Sequence, residues 1–288
     1  MLLKGKDVAA VVKSETARLA AQSAARGRKP CLAIFRVGEN EPDLAYENRV
    51  RKNASELGID VQTFAFGADV PQEAFLAEVQ RIGADGAVDG ILIFRPLPAQ
   101  LEEDEVAAAV NADKDADCMN PVQLQRLLAG DSGGTLPCTP EAVMEILKYY
   151  QIPVAGKRVA IVNRSLVLGK PLALLFLQEN ATVTVCHSRT VDLASVTREA
   201  DIVVTGVGRP RFFGAEYFKK DAVVIDVGIN SADGKLCGDV DFENVERHVA
   251  AITPVPGGVG AVTSAVLLRH VVWRCGTHRS TIQRGYRA

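Results

Sequence analysis

The chain has 288 residues, enough for two domains of ordinary size. It is 48% hydrophobic and 24% charged, the balance of a soluble globular protein. A formal net charge of −2, with no dense basic patch in the body of the chain, argues against nucleic acid as the main partner.

The N-terminal residues Met1 to Asp7 carry no apolar signal-type core, and no apolar run reaches bilayer-spanning length, so no membrane role is expected. An amphipathic helix is expected near 5–26, then an apolar strand from Cys31 to Val37 that ends in Gly38. The polar loop Glu39 to Asp43 opens a helix that runs through Ser55 and stops at Gly58. A strand over Val61 to Phe66, a helix at about 72–83 and a strand over Gly90 to Phe94 follow. This strand–helix–strand rhythm implies a parallel sheet covered on both faces.

A polar, turn-rich region from Asp113 to Thr139 separates the halves. The second half repeats the rhythm with strands at Arg158 to Val162, Ala181 to Cys186, Ile202 to Thr205, Ala222 to Val227 and Ala251 to Thr253. Helices fill Leu168 to Glu179, Val191 to Ala200 and a short piece near Phe242 to His248. The whole is α/β, and its second half has the pattern of a doubly wound nucleotide-binding sheet. The final helix, from Ala261 to about Cys275, is long enough to pack back on the first half. The tail from Arg269 is locally basic and reads as a solvated tail, with anion binding as the alternative. The six cysteines never form Cys-x-x-Cys, which suggests neither a zinc site nor a disulfide framework and fits a cytoplasmic protein.

Three loops carry chemistry. In Pro254 to Thr263, two prolines and three glycines lead into a helix, a rigid turn that lets a planar or anionic ligand approach the backbone. An ordinary strand-to-helix loop is the other reading of that stretch alone. Asn163-Arg164-Ser165 to Gly169 stands where a dinucleotide fold has Gly-x-Gly-x-x-Gly. There Asn163 is expected to turn the chain through its tolerance of left-handed backbone angles, and Ser165 to meet a phosphate or cap the helix. After the next strand come Ser188, Arg189 and Thr190, with no acid before Asp192. An arginine in that place suits the 2′-phosphate of NADP, where an NAD site has an acid for the ribose; Arg164 could approach the same phosphate.

The chain resembles the methylenetetrahydrofolate dehydrogenase/cyclohydrolase family. The resemblance lies in Tyr46 with Gly58-Ile59, Asp89 to Leu92, Pro96-Leu97-Pro98, Asp113 to Asp117, Pro137 to Pro140, Ser165 with Gly169 to Pro171, Val224 to Asn230, Gly238 to Val240 and Thr253 to Gly260. Their order and spacing hold from about residue 2 to 275. It implies two domains flanking a cleft. Residues 1–138, with the helix 261–280 packed back, would form the folate-binding, catalytic α/β domain. Residues 139–260 would form a Rossmann-type NADP-binding domain and the contact of a homodimer. It further implies that Tyr46 stacks on the substrate, Asp117 takes the polar edge of the pterin, and Pro256, Gly257 and Gly258 line the folate pocket. Asn163, Arg164, Ser165, Ser188, Arg189, Thr190 and Ile229 would hold NADP. The implied reaction in one-carbon metabolism is oxidation of 5,10-methylenetetrahydrofolate by hydride transfer, then hydrolysis of the methenyl cation.

Two positions depart from the family pattern. The lysine four residues after the tyrosine is Val50, and the glutamine that assists it is Phe94, followed by Arg95. Lys52 lies about 240° round the helix from Tyr46 and should face elsewhere; Arg49 shares the face but stays protonated. Hydride transfer needs positioning, whereas hydrolysis needs a proton shuttle. The dehydrogenase step is therefore expected to be kept and the cyclohydrolase step to be weak or absent. The alternatives are a dehydrogenase of this fold with another substrate and a non-catalytic folate- or nucleotide-binding protein.

Overall fold

The computed structural model describes residues 1–131, 133–232 and 234–275. The chain forms two compact units. The N-half unit comprises Val11–Cys138 and the final helix from Ser264 on; the C-half unit comprises Met1–Ala10 and Thr139–Thr263.

α1 (Gly5–Ala25) begins among the residues grouped with the C-half unit and, within the N-half unit from Val11 on, leads into β1 (Cys31–Val37), α2 (Glu41–Glu56), β2 (Asp60–Phe66), α3 (Gln72–Ala84) and β3 (Gly90–Ile93). β1 lies between β2 and β3, parallel to both, with Phe35 opposite Phe64 and Ile93. Phe35, Phe75, Val79, Ile82, Ile91 and Ile93 form its core, and the Phe35 and Phe75 rings meet edge-on at 5.9 Å. Each such burial contributes about 1.5–3 kcal/mol before entropy is counted.

α2 starts where the Asn40 side chain accepts the N–H of Asp43 at 2.9 Å, with Pro42 in the first turn. Its buried side chains, Glu47, Val50 and Ala54, share one stripe. The Glu47 carboxylate accepts from Arg36 Nε and Arg51 Nε, each at 3.0 Å, and from Thr63 Oγ1 at 2.7 Å. Burial opposes its charge, yet the Thr63, Arg51 and Arg36 bonds outweigh that and hold the carboxyl below its ordinary range. The network ties α2 to β1 and β2 and so sets the rotation of the helix that carries Tyr46.

The stretch read as turn-rich holds more helix than expected. After α4 (Glu103–Ala109), itself unassigned from sequence, α5 (Pro121–Leu128) starts at Asn120, whose side chain accepts the N–H of Val122 at 2.8 Å. α6 (Cys138–Tyr149) begins within the same stretch and buries Ala142, Val143, Ile146 and Leu147.

The C-half unit continues with β4 (Arg158–Val162), α7 (Gly169–Gln178), β5 (Thr182–Cys186), α8 (Leu193–Arg198), β6 (Ile202–Thr205) and β7 (Val223–Asp226). The hairpin β8 (Asn230–Ala232) and β9 (Lys235–Cys237), the short α9 (Phe242–Val245) and β10 (Ala251–Ile252) complete it. Its five-stranded sheet is wholly parallel in the order β10-β7-β6-β4-β5. In this half the helix and strand ends fall within two residues of the expected ones, except that α9 stops at Val245, three residues before His248; in the N-half, α2 already starts at Glu41, inside the expected loop Glu39 to Asp43.

The division at residue 138 needs one correction. Met1–Ala10 group with the C-half unit because the first residues extend its sheet. Leu2 bridges Ile252 in parallel, Leu3 N–H donates to Ile252 O at 2.8 Å, and Ile252 N–H to Met1 O at 3.0 Å. The basic tail needs another: α10 (Val259–Arg274) contains both Arg269, which is buried, and Arg274. Arg274 donates to Thr135 Oγ1 at 2.6 Å and pairs with Asp113 at 3.6 Å. The expected helix beyond Cys275 and the later arginines lie outside the described residues.

Candidate active and cofactor sites

In the N-half unit the candidate site gathers around α2 and the end of β3. Val50 is 2% exposed and Phe94 6%, so both positions singled out as departures in the sequence reading are filled by buried apolar groups. The Phe94 ring lies 5.1 Å from that of Tyr46, tilted by 45°. The Arg49 guanidinium sits over the Tyr46 ring at 5.3 Å from its centre, while Lys52 is exposed. Burial, then the negative charge of Asp117, pushes the Tyr46 hydroxyl well above its ordinary pKa, so it stays protonated.

Asp117 reaches this place through the sheet. The segment before it adds to β3: Ile91 N–H donates to Lys114 O at 2.6 Å and Ala116 N–H to Ile91 O at 3.1 Å. Buried Asp115 folds the segment by accepting the N–H groups of Asn120 at 2.8 Å and Asp117 at 3.3 Å. Arg95, which no sequence argument positions, pairs with Asp117 at 3.4 Å and with Glu103 at 3.2 Å.

Cys138 and His270 lie 3.7 Å apart, a spacing that invites reading them as nucleophile and base. Both instead meet one acceptor, Ala116 O, the thiol at 3.3 Å and His270 Nδ1 at 2.9 Å. A carbonyl only accepts, so Nδ1 carries its proton there and has no lone pair for the thiol. The pair is structural.

In the C-half unit the loops after β4, β5, β6 and β7 share the carboxyl edge of the sheet. Counted from β4, the strand order is 2-1-3-4-5, whose switch point lies between β4 and β6. Asn163 is not among the residues with a left-handed backbone, contrary to the sequence expectation. Its side chain does the turning. Oδ1 accepts from Ser165 N and Oγ, both at 2.8 Å, and from Gly169 N at 3.0 Å; Nδ2 donates to Gly206 O at 2.6 Å. Ser165 Oγ in turn accepts the N–H of Leu168 at 3.1 Å. Gly169 fits because a Cβ there would fall 1.9 Å from Asn163 O.

After β5 the turn closes by His187 N–H donating to Thr190 Oγ1 at 2.8 Å and Arg189 N–H to His187 Nδ1 at 3.1 Å. Ser188, Arg189 and, on the loop after β4, Arg164 are exposed. Asp192, the first acid that follows, is occupied as the N-cap of α8, accepting the N–H of Ser195 at 3.2 Å. Exposed cations and hydroxyls with no competing carboxylate suit a phosphorylated ribose. Ile229 is 64% exposed on the loop after β7.

Two buried acids missed from the sequence organise that edge. Asp239 accepts the N–H of Arg209 at 2.9 Å, of Val207 at 2.5 Å and of Gly208 at 3.3 Å, and Asn230 Nδ2 at 2.8 Å. Asp226 accepts from Gly228, Asp239 and Val240 N–H at 2.9–3.1 Å and from Thr205 Oγ1 at 3.2 Å. An acid closing an apolar strand, as in Val224-Ile225-Asp226, was the available signal. Of the residues expected to line a folate pocket, Pro256 is exposed, Gly257 has φ +96°, and Gly258 is buried. The N-terminus of α1 braces this loop through Lys6 N–H to Gly257 O at 3.3 Å.

A doubly wound parallel sheet with ligand-side loops at its switch point, joined to a second α/β unit, defines a two-unit protein of the dinucleotide-dependent dehydrogenase class. The chain belongs to the tetrahydrofolate dehydrogenase/cyclohydrolase family. The family model for its catalytic domain matches residues 3–117, and that for its NAD(P)-binding domain matches 137–279. The chain is 46% identical over 272 residues to the bifunctional protein FolD of Clostridium botulinum, covering 94% of this chain and 96% of that one. It is also similar to the crystal structure of the bifunctional FolD dehydrogenase/cyclohydrolase of Campylobacter jejuni, with TM-score 0.94, 36% identity, and 96% and 98% of the two chains covered. The Trypanosoma brucei enzyme, solved with NADP and an inhibitor, matches with TM-score 0.89 and 35% identity over 94% of this chain and 95% of that one.

Proposed function

We propose that this protein is an NADP-dependent 5,10-methylenetetrahydrofolate dehydrogenase of one-carbon metabolism whose methenyltetrahydrofolate cyclohydrolase step is weak or absent. The observation that supports the reading is that Val50 and Phe94 are both buried, with the Phe94 ring against that of Tyr46.

The nicotinamide of NADP supplies the hydride acceptor when bound. Ser188, Arg189 and Arg164 hold the 2′-phosphate, Thr190 closes their turn, and Ser165 with the loop that Asn163 folds takes the phosphates. Ile229 covers the cofactor from the loop after β7. Tyr46 stacks on the substrate and Asp117 accepts from the N–H groups of the pterin edge. Pro256, Gly257 and Gly258 present backbone to the folate. These contacts position a carbon for hydride loss and require no proton donor. Hydrolysis needs an activated water and a shuttle. Valine and phenylalanine carry no proton, and a Tyr46 hydroxyl held protonated is a poor base.

The protein acts in the cytoplasm as a homodimer joined through the C-half unit. Its edge strand β5 leaves Val185 38% exposed, with Leu177 and Val191 exposed nearby in the chain. The deciding experiment follows NADPH and methenyltetrahydrofolate separately. The expected result is equimolar NADPH and methenyl product, the latter decaying at its spontaneous rate. Decay well above that rate would refute the loss of hydrolysis.

A further inference from the structure

We infer that Arg95 is a positioning residue for substrate recognition: its guanidinium fixes the Asp117 carboxylate for the hydrogen-bond-donating edge of the pterin. This rests on the folate reading above and deepens it.

The two residues are 22 positions apart in sequence yet are delivered by one strand. Arg95 follows β3 directly, and the segment ending in Asp117 is hydrogen-bonded onto β3 at Ile91. The backbones of both are therefore set by the same rigid element. The Asp117 side chain is not: it is 31% exposed, and among the described residues its carboxylate accepts one hydrogen bond, from Arg95 Nη2 to Oδ2 at 3.4 Å. Arg95 is itself steadied on the other side by Glu103 at 3.2 Å. Oδ2 of Asp117 is thus held by Arg95, and both oxygens keep a lone pair with which to accept from a ligand.

The chemistry favours an arginine here. The pterin edge offers adjacent N–H and NH2 donors, so its partner must be an ionised carboxylate in one orientation. This chain has Arg95 immediately after Phe94. With valine at position 50, no lysine supplies positive charge there. Arg95 supplies it beside the Asp117 carboxylate and, because it stays protonated, does not serve as a proton shuttle.

The test compares wild type, Arg95→Leu and Arg95→Lys by steady-state kinetics and by titration calorimetry with folic acid in the absence of NADP. Arg95→Leu should raise the KM for methylenetetrahydrofolate and the Kd for folic acid about tenfold, as for loss of a positioning contact. kcat and the KM for NADP should stay within about twofold, and Arg95→Lys should recover most of the loss. Unchanged or tighter folic acid binding by Arg95→Leu overturns the proposal and leaves the dehydrogenase reading standing. A fall in kcat together with both KM values rising, unrelieved by lysine, also overturns it by showing a merely structural role. A wild type that binds no folic acid overturns this proposal and the folate reading together.

Discussion

The rings of Tyr46 and Phe94 lie 5.1 Å apart, tilted by 45°, so an aromatic contact occupies the end of β3 beside α2. Tyr46 sits one helical turn before Val50, on the same side of α2.

On the proposed reading, raising hydrolysis takes two changes. Val50→Lys alone should do little, because burial opposes an ammonium with no polar partner. Val50→Lys with Phe94→Gln should raise methenyltetrahydrofolate hydrolysis beyond the product of the single effects, since the amide can orient the amine. Absorbance of the methenyl product measures it, and strictly additive singles would count against the coupling.

Cofactor choice should depend on Arg189. Removing a charged contact to the 2′-phosphate costs about 1.5–3 kcal/mol, on the order of tenfold to a hundredfold. Arg189→Ala should lose that much in kcat/KM for NADP and little for NAD. Equal use of NAD by the wild type would sink the assignment.

Asp226 predicts a pH effect. Burial raises its carboxyl from 3.8 to about 6 against the opposing backbone bonds of Val240 and Asp239, and the charge of Asp239 adds to the rise. Between those values the folded chain binds more protons than the unfolded one, so the contribution of this group to stability falls as pH rises. The Tm of wild type minus that of Asp226→Asn should therefore decrease from about pH 4 to about pH 6.5. A difference that grows over that range would contradict the assignment.

The proposed dimer through the β5 edge should be broken by charge. Wild type should sediment as a dimer at micromolar concentration, and Val185→Lys should shift it towards the 30.8 kDa monomer. A wild type found only as monomer would refute the dimer.

The parallel strands were legible because β1, β4 and β6 are apolar runs bounded by glycine or polar residues. α5 was hidden because its Asn120-Pro121 start lies in an aspartate-rich stretch that reads as turns. The first residues pair with β10 about 250 positions away, and no local pattern announces such a contact. In the site, the family resemblance pointed to Tyr46 and Asp117, and residue type after the second strand of the C-half pointed to Arg189. What they could not give was partnership. Arg95 was visible as a departure, but its bond to Asp117 exists only once Lys114 and Ala116 have docked on β3. Asn163 was noticed for its backbone, whereas its amide does the work because a side chain on a strand end reaches two loops at once.

That amide has a consequence for how the loop ages and binds. It accepts from three donors with one atom and donates to Gly206 O with the other. Deamidation to aspartate would keep the acceptor but set a negative oxygen against the Gly206 carbonyl, prising apart the loops after β4 and β6. A glycine-built loop has no such chemical weak point, yet it must be ordered from a larger ensemble. Here the ordering is completed as the chain folds, so less of the cofactor's binding energy is spent on it.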